Sequence, residues 1–196
     1  LVGVQVVRGE VKGKDLAAAA MGKLNLALYT TIIVAAILVA VYSFITFPLM
    51  EAVAIFVADL LGMITAIVVL FATEYFTHYT FPPVRNIARQ AVLSASNVIV
   101  AGYSYGLLSA IPTIFMVVAA LGISYVLGSM FIPPYGVEGG IFGTAVASVG
   151  LLSLAGIVIS LDSYGPVSDN ANGLVEMTGM EEVRDVTDPL DAIGNT

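Results

Sequence analysis

The sequence predicts an all-α membrane protein: four transmembrane helices of a larger bundle, the last extending into the cytoplasm. Three observations predict it. First, the 196 residues are 59% hydrophobic and 11% charged, with mean hydropathy +0.99. Soluble domains run about 45–50% apolar and about 25% charged. Second, residues 24–50, 90–137 and 139–161 carry no charge, and residues 52–73 carry one, Asp59. Each stretch exceeds the roughly 20 apolar residues that cross a bilayer. Third, the bases are one-sided. With four spans, Arg8, Lys12, Lys14, Lys23, Arg85, Arg89 and Arg184 all fall on one face, which the positive-inside rule makes cytoplasmic. Glu51 and Glu138 are the charges of the short outer connections.

The elements follow in order. Residues 1–23 read as a cytoplasmic lead-in. A transmembrane hairpin covers 24–75, with Tyr42, Phe44 and Phe47 at the outer end of its first span and Pro48 stopping that helix. Tyr75, Phe76 and Tyr79 belt the inner end of its second span. Asp59 lies about two turns inside the outer end of that span. An intramembrane carboxylate is costly and often functional, and the plainer reading is that it snorkels or pairs near the outer interface. Residues 76–96 read as a cytoplasmic loop with a short helical stretch after Pro82-Pro83. His78 lies there with no second His and no neighbouring Asp, so it reads as a loop residue.

A second hairpin covers 97–161. The 48 uncharged residues 90–137 are too many for one straight span, since they would make a helix roughly 72 Å long. Either one long helix is kinked at Pro112 or two spans meet there. Ala110-Ile111-Pro112-Thr113 offers no polar turn, so one kinked helix is the reading taken. Gly102 and Gly106 form a GxxxG pair, which permits close helix approach. Of residues 139–161, twelve of 23 are Gly, Ala, Ser or Thr, against eight of 24 in residues 24–47. Span four is therefore the candidate for tight interior packing.

Composition excludes several chemistries. Without Cys there is no disulfide, thiolate metal site or Cys nucleophile, and one His excludes multi-histidine metal sites. Nothing in the charge pattern points to nucleic acid. The chain opens on Leu1 without Met and stops where a new helix starts, so it reads as an internal fragment of a longer protein.

The net charge of −7 lies wholly in residues 162–196, which hold eight acids and one base. Asp162, Asp169 and Glu176 are seven apart and share one helical face. Glu181, Glu182 and Asp185 surround a turn at Gly179-Met180. Asp188, Pro189 and Asp191 read as a helix start: N-cap, Pro at the first position, an acid at the third. Oxygen ligands on two neighbouring helices suit a hard cation such as Mg²⁺ or Ca²⁺. A solvated acidic face fits the same spacing.

Here a resemblance enters. Asp162-Ser-Tyr-Gly-Pro-Val-Ser-Asp169-Asn-Ala-Asn-Gly-Leu-Val-Glu176-Met resembles the motif of the membrane-integral pyrophosphatases, the pyrophosphate-energised proton or sodium pumps. Thr187-Asp-Pro-Leu-Asp191-Ala-Ile-Gly-Asn195-Thr, Thr73-Glu74-Tyr75-Phe76-Thr77 with Pro83-Val84, and Ser96-Asn97-Val98-Ile99 resemble that family too. Two letters depart from its pattern: Asn172 stands for a Gly and Phe76 for a Tyr. The resemblance implies a sixteen-helix subunit in a homodimer, of which this chain supplies helices eight to eleven and the start of twelve. It implies Mg²⁺-dependent hydrolysis of pyrophosphate coupled to proton or Na⁺ transport across the bilayer, with K⁺ as an activator in part of the family. Asp169 resembles a metal ligand and Asn195 a residue lining the substrate site. Asp162, Glu176, Asp188 and Asp191 are further motif acids, of which Asp162, Asp188 and Asp191 are not read as direct ligands, and no catalytic residue falls in this fragment. The expected location is a multi-pass place in the cell membrane of a prokaryote or a vacuole-type membrane of a eukaryote. The competing reading is a fragment of a secondary transporter with a solvated acidic segment.

Overall fold

The computed structural model describes residues 5–6 and 16–194, with side chains from residue 19 onward except at 161. Among the described residues from 16 onward, seven α-helices follow one another: α1 (Leu16–Thr46), α2 (Leu49–Thr77), α3 (Pro82–Ala91), α4 (Ala95–Phe131), α5 (Val137–Leu152), α6 (Ala155–Thr178) and α7 (Arg184–Gly194), with a 3₁₀ turn at Glu181–Val183. Four stretches are long and apolar enough to cross a membrane: Ala19–Thr46, Leu49–Ala91, Ala95–Phe131 and Val137–Thr178. Several of their Ser and Thr hydroxyls donate back along the helix, as Thr31 does to Ala27 O (2.8 Å) and Thr65 to Leu61 O (2.7 Å), while Ser43 Oγ and Ser124 Oγ are buried without a partner. That pairing satisfies polar groups where no water reaches.

The helix ends have local causes. Pro48 precedes α2, and Glu51 sits in its first turn, where a carboxylate favours the positive helix end. Ser94 caps α4, its Oγ accepting from Asn97 N at 3.2 Å. Pro112 lies inside α4, which runs through it as one helix of 37 residues. Gly179 ends α6 with φ +69°, and Met180 N reaches back to Val175 O (3.1 Å), a glycine-terminated helix stop.

Residues 36–153 form one compact unit. Here α2, α4 and α5 pack together, and glycine decides how closely. A Cβ on Gly62 of α2 would fall on the carbonyl of Ala147 in α5, and one on Gly150 would fall on the carbonyl of Asp59. Gly128 of α4 meets Gly139 and Gly143 of α5 in the same way. The small residues of span four thus let main chain rest on main chain. Gly102 and Gly106 do not act so: a Cβ at either meets nothing within 4 Å among the described residues. Ala54, Ile55 and Ile132 form a small apolar core with Phe47, Leu127, Phe131 and Val146 packed on it.

The other unit comprises residues 1–35 and 154–196. Its described part includes a hairpin of α6 and α7, drawn close where a Cβ on Gly165 would come 2.7 Å from Gly194 O.

Two sequence readings are corrected here. Span four is not one helix. It breaks at Ser153-Leu154, where Ser153 N divides between Val149 O and Gly150 O, and Ser153 Oγ donates to Gly150 O (2.6 Å). Nor does the last helix start at Asp188. It starts at Arg184, and Pro189 lies inside it. The 3₁₀ turn closed by Val183 N to Met180 O (3.0 Å) sets that earlier start.

Candidate functional site

The acidic residues divide between the two arms of the α6–α7 hairpin. Asp162, Asp169 and Glu176 lie on α6, and all three are exposed. Asp188 and Asp191 lie on α7, the first exposed and the second half-buried. Asn195 lies outside the described residues.

Arg184 ties the hairpin together. Its guanidinium stands 3.2 Å from Glu176 Oε1, 3.7 Å from Glu181 Oε2 and 3.4 Å from Asp188 Oδ2. Asp188 above all, then Glu181 and Glu176, push its pKa still higher, so it is charged at every working pH. Glu176 and Asp188 are therefore engaged with a base, whereas Asp162 and Asp169 carry no ion pair among the described residues. The sequence spacing held this signal, since Glu181 and Asp188 stand three before and four after Arg184.

Two further features escaped the sequence reading. Ser168, next to Asp169, is buried at 7% exposure, donates to Gly165 O (2.9 Å) and sits against Gly194. Asn172 stands one turn beyond Asp169, and its Oδ1 is buried with no hydrogen-bond partner. An oxygen left unpaired in this way is costly and suits a site that a ligand completes.

The donor set fits a hard cation in part. Asp169 offers an exposed carboxylate, and Asn172 an unpaired amide oxygen three residues on, where side chains share a helical face. No group of three or more Asp, Glu or His stands ready for a metal among the described residues. The hairpin carries at most a share of such a site.

Asp59 differs from its sequence reading. It is 2% exposed, so it does not snorkel, and it pairs with no base among the described residues. It lies ten residues into α2, about 15 Å along the helix and close to half the bilayer core. Its main chain is the surface on which Gly150 rests, and its Oδ2 has no hydrogen-bond partner. His78 caps the end of α2, and its Nδ1 accepts from Thr80 N at 3.2 Å.

The comparison that decides the family covers the whole chain: the family described as inorganic H⁺ pyrophosphatase matches residues 1–196. The chain belongs to that family. It is 47% identical over 184 residues, 90% of its length, to the K⁺-insensitive pyrophosphate-energized proton pump of Pyrobaculum aerophilum. It is 42% identical over 72% of its length to pyrophosphate-energized membrane proton pump 3 of Arabidopsis thaliana. A putative K⁺-stimulated pyrophosphate-energized sodium pump of Bacteroides thetaiotaomicron is 40% identical over 71% of the chain. The chain spans 26% of the Pyrobaculum relative, 18% of the plant one and 19% of the Bacteroides one. Membership of this family, with four membrane-spanning stretches, makes it an integral multi-pass membrane protein. The secondary-transporter reading falls with the same match.

Proposed function

We propose that this chain is a four-span portion of a pump that couples hydrolysis of pyrophosphate to ion transport, protons being the favoured ion. The observation that carries the reading is the α6–α7 hairpin, which holds Asp169 exposed and Asn172 Oδ1 unpaired in a chain matched by the pump family end to end. The proton preference rests on the Pyrobaculum and Arabidopsis relatives, each named a proton pump.

Pyrophosphate is a compact polyanion, and a segment of net charge −7 repels it. A bound Mg²⁺ supplies the charge neutralisation that phosphoryl transfer requires. Asp169 would hold the metal, with Asn172 beside it, and the rest of the complete protein would supply the remaining ligands. Asn195, by the family resemblance, would line the substrate site. Arg184 satisfies Glu176 and Asp188, which keeps those two acids from competing for the cation. Asp162 remains a motif acid without a ligand role. The hairpin, the 76–96 loop and the 1–23 lead-in share the cytoplasmic face, and the complete subunit works as a homodimer.

The test is a vesicle assay on the complete protein. Pyrophosphate with Mg²⁺ should acidify the lumen, with or without Na⁺. Acidification that requires Na⁺ would shift the ion to sodium, and no pyrophosphate-dependent transport of either ion would sink the reading. A single Cys at exposed Asn170 should label from the cytoplasmic side; Ser168 is too buried to serve as the probe.

A further inference from the structure

We propose that α3 and its flanks form a docking surface for anionic lipid headgroups, with Arg85 and Arg89 recognising the phosphates. Four observations carry it. The first is position. Helix α3 joins α2 to α4 through residues 78–81 and 92–94 alone. Helices α2 and α4 are each long enough to cross a bilayer, whereas α3 has 10 residues, too few to cross one, and carries two arginines, which places it at the bilayer surface.

The second is a belt of rings at the same level. Tyr75 packs on Phe76 and Phe81 with centroids 5.1 and 5.4 Å apart, and His78 stacks on Tyr79 at 4.6 Å. Tyr79 is 59% exposed. Amphipathic rings collect at the headgroup level.

The third is how α3 is seated. Pro83 is buried, and Asn86 Nδ2 donates to Tyr105 OH of α4 at 2.8 Å. This leaves Arg85, Ala88 and Arg89 exposed along the other face. The two guanidiniums are one turn apart, and neither has an ion pair among the described residues. No acid occurs from residue 75 to 137, so the two arginines are the only charges of that stretch. A guanidinium fork matches phosphate oxygens two at a time.

The fourth is the apolar tip. Val92 is 87% exposed and Leu93 68%, directly after the second arginine. Exposed apolar side chains beside unpaired cations are how an interfacial helix meets a bilayer: the first enter the acyl boundary, the second hold the phosphates. Charge complementarity selects anionic over zwitterionic lipid.

The experiment uses the complete protein in nanodiscs of phosphatidylcholine, with and without phosphatidylglycerol, and measures retained phosphatidylglycerol by native mass spectrometry. Arg85→Gln with Arg89→Gln should weaken retention at this site by on the order of tenfold or more, since each base near the surface contributes about a factor of five. Arg85→Lys with Arg89→Lys should retain more than the double Gln variant and less than the parent, since it keeps the charge and loses the fork. Val92→Ser with Leu93→Ser should weaken phosphatidylcholine and phosphatidylglycerol retention alike. Unchanged phosphatidylglycerol retention in the double Gln variant would overturn the proposal. So would cross-linking of position 85 to an acidic side chain of the same protein, or displacement of the lipid by pyrophosphate at constant ionic strength. Retention is read without substrate turnover, so this inference and the pump reading fail separately.

Discussion

In residues 36–153 the main chain of one helix rests on that of another, whereas in the α6–α7 hairpin Asp162, Asp169, Glu176 and Asp188 stand exposed. The first region is closed by glycine: Gly62, Gly128, Gly139, Gly143 and Gly150 each lie where a Cβ would meet backbone. The second is closed by one glycine pair, Gly165 with Gly194, and by one arginine among carboxylates. The difference follows from the medium. Between apolar helices in lipid no hydrophobic gain separates helix from tail, so contact area must come from close approach. An acidic hairpin at an aqueous face gains little from exposed ion pairs, and its exposed carboxylates stay available to a cation.

The sharpest way to break the comparison is to add bulk. Gly150→Leu places a side chain in the main chain of Asp59, so α2 and α5 must part. We expect a loss of more than about 3 kcal/mol, the upper range for overpacking, seen as failure to recover stable protein in detergent. Gly102→Ala or Gly106→Ala should be near neutral, because a Cβ at either would meet nothing within 4 Å among the described residues. A stable Gly150→Leu protein would mean that glycine contact does not hold this region.

Asp169→Asn is the corresponding break in the hairpin. It removes charge from an exposed carboxylate without touching the Gly165–Gly194 approach. Hydrolysis and transport should fall together, on the order of tenfold or more at limiting Mg²⁺, with partial recovery at high Mg²⁺. Membrane insertion should be normal. Asp185→Asn, on an exposed acid outside the Arg184 ion pairs, is the control and should do much less. Equal Mg²⁺ dependence in both variants would return Asp169 to a solvated surface acid.

Asp59→Asn probes the buried acid of the tight region. Its Oδ2 is buried without a hydrogen-bond partner, so an uncharged group of the same shape should cost nothing and add up to about 1 kcal/mol of thermal stability. Hydrolysis should be unchanged. Loss of transport with hydrolysis intact would instead place Asp59 on the ion path.

Much of this was legible in the letters, and the failures share a cause. Four long runs with at most one charge each define four spans, because the bilayer makes length and hydropathy decisive. The small-residue excess of span four announced its close packing, but the GxxxG spacing of Gly102 and Gly106 did not say which helix, if any, would use it. Period and spacing report one helix; contact depends on its neighbour. For the same reason Asp59 read as a snorkelling acid, although α5 covers it through Gly150. The break at Ser153-Leu154 was hidden because hydropathy runs straight across it. In the hairpin the seven-residue stripe was plain, yet the Glu176–Arg184 pair spans a turn whose geometry Gly179 sets, and no helical period carries across a turn.

The smallest effect, and the finest test of the comparison, is Arg184→Gln. The change takes residues 162–196 from eight acids and one base to eight acids alone, from −7 to −8. Three carboxylates lose their partner at once: Glu176 at the end of α6, Glu181 in the turn and Asp188 in α7. All are exposed, so the fold should survive and the thermal midpoint should hardly move. What should change is the local order of α7, read as faster amide exchange between Arg184 and Gly194, and the Mg²⁺ concentration for half-maximal hydrolysis. Freed Glu176 and Asp188 attract the cation away from Asp169, so that concentration should rise by about two- to threefold at low salt. Added salt should narrow the gap, since screening acts most on exposed charges. Arg184→Lys keeps the charge but not the three-way fork, so it should restore the Mg²⁺ response more fully than the exchange rates. If both variants behaved as the parent at low salt, the arginine would be a bystander, and the Gly165–Gly194 approach alone would hold the hairpin closed.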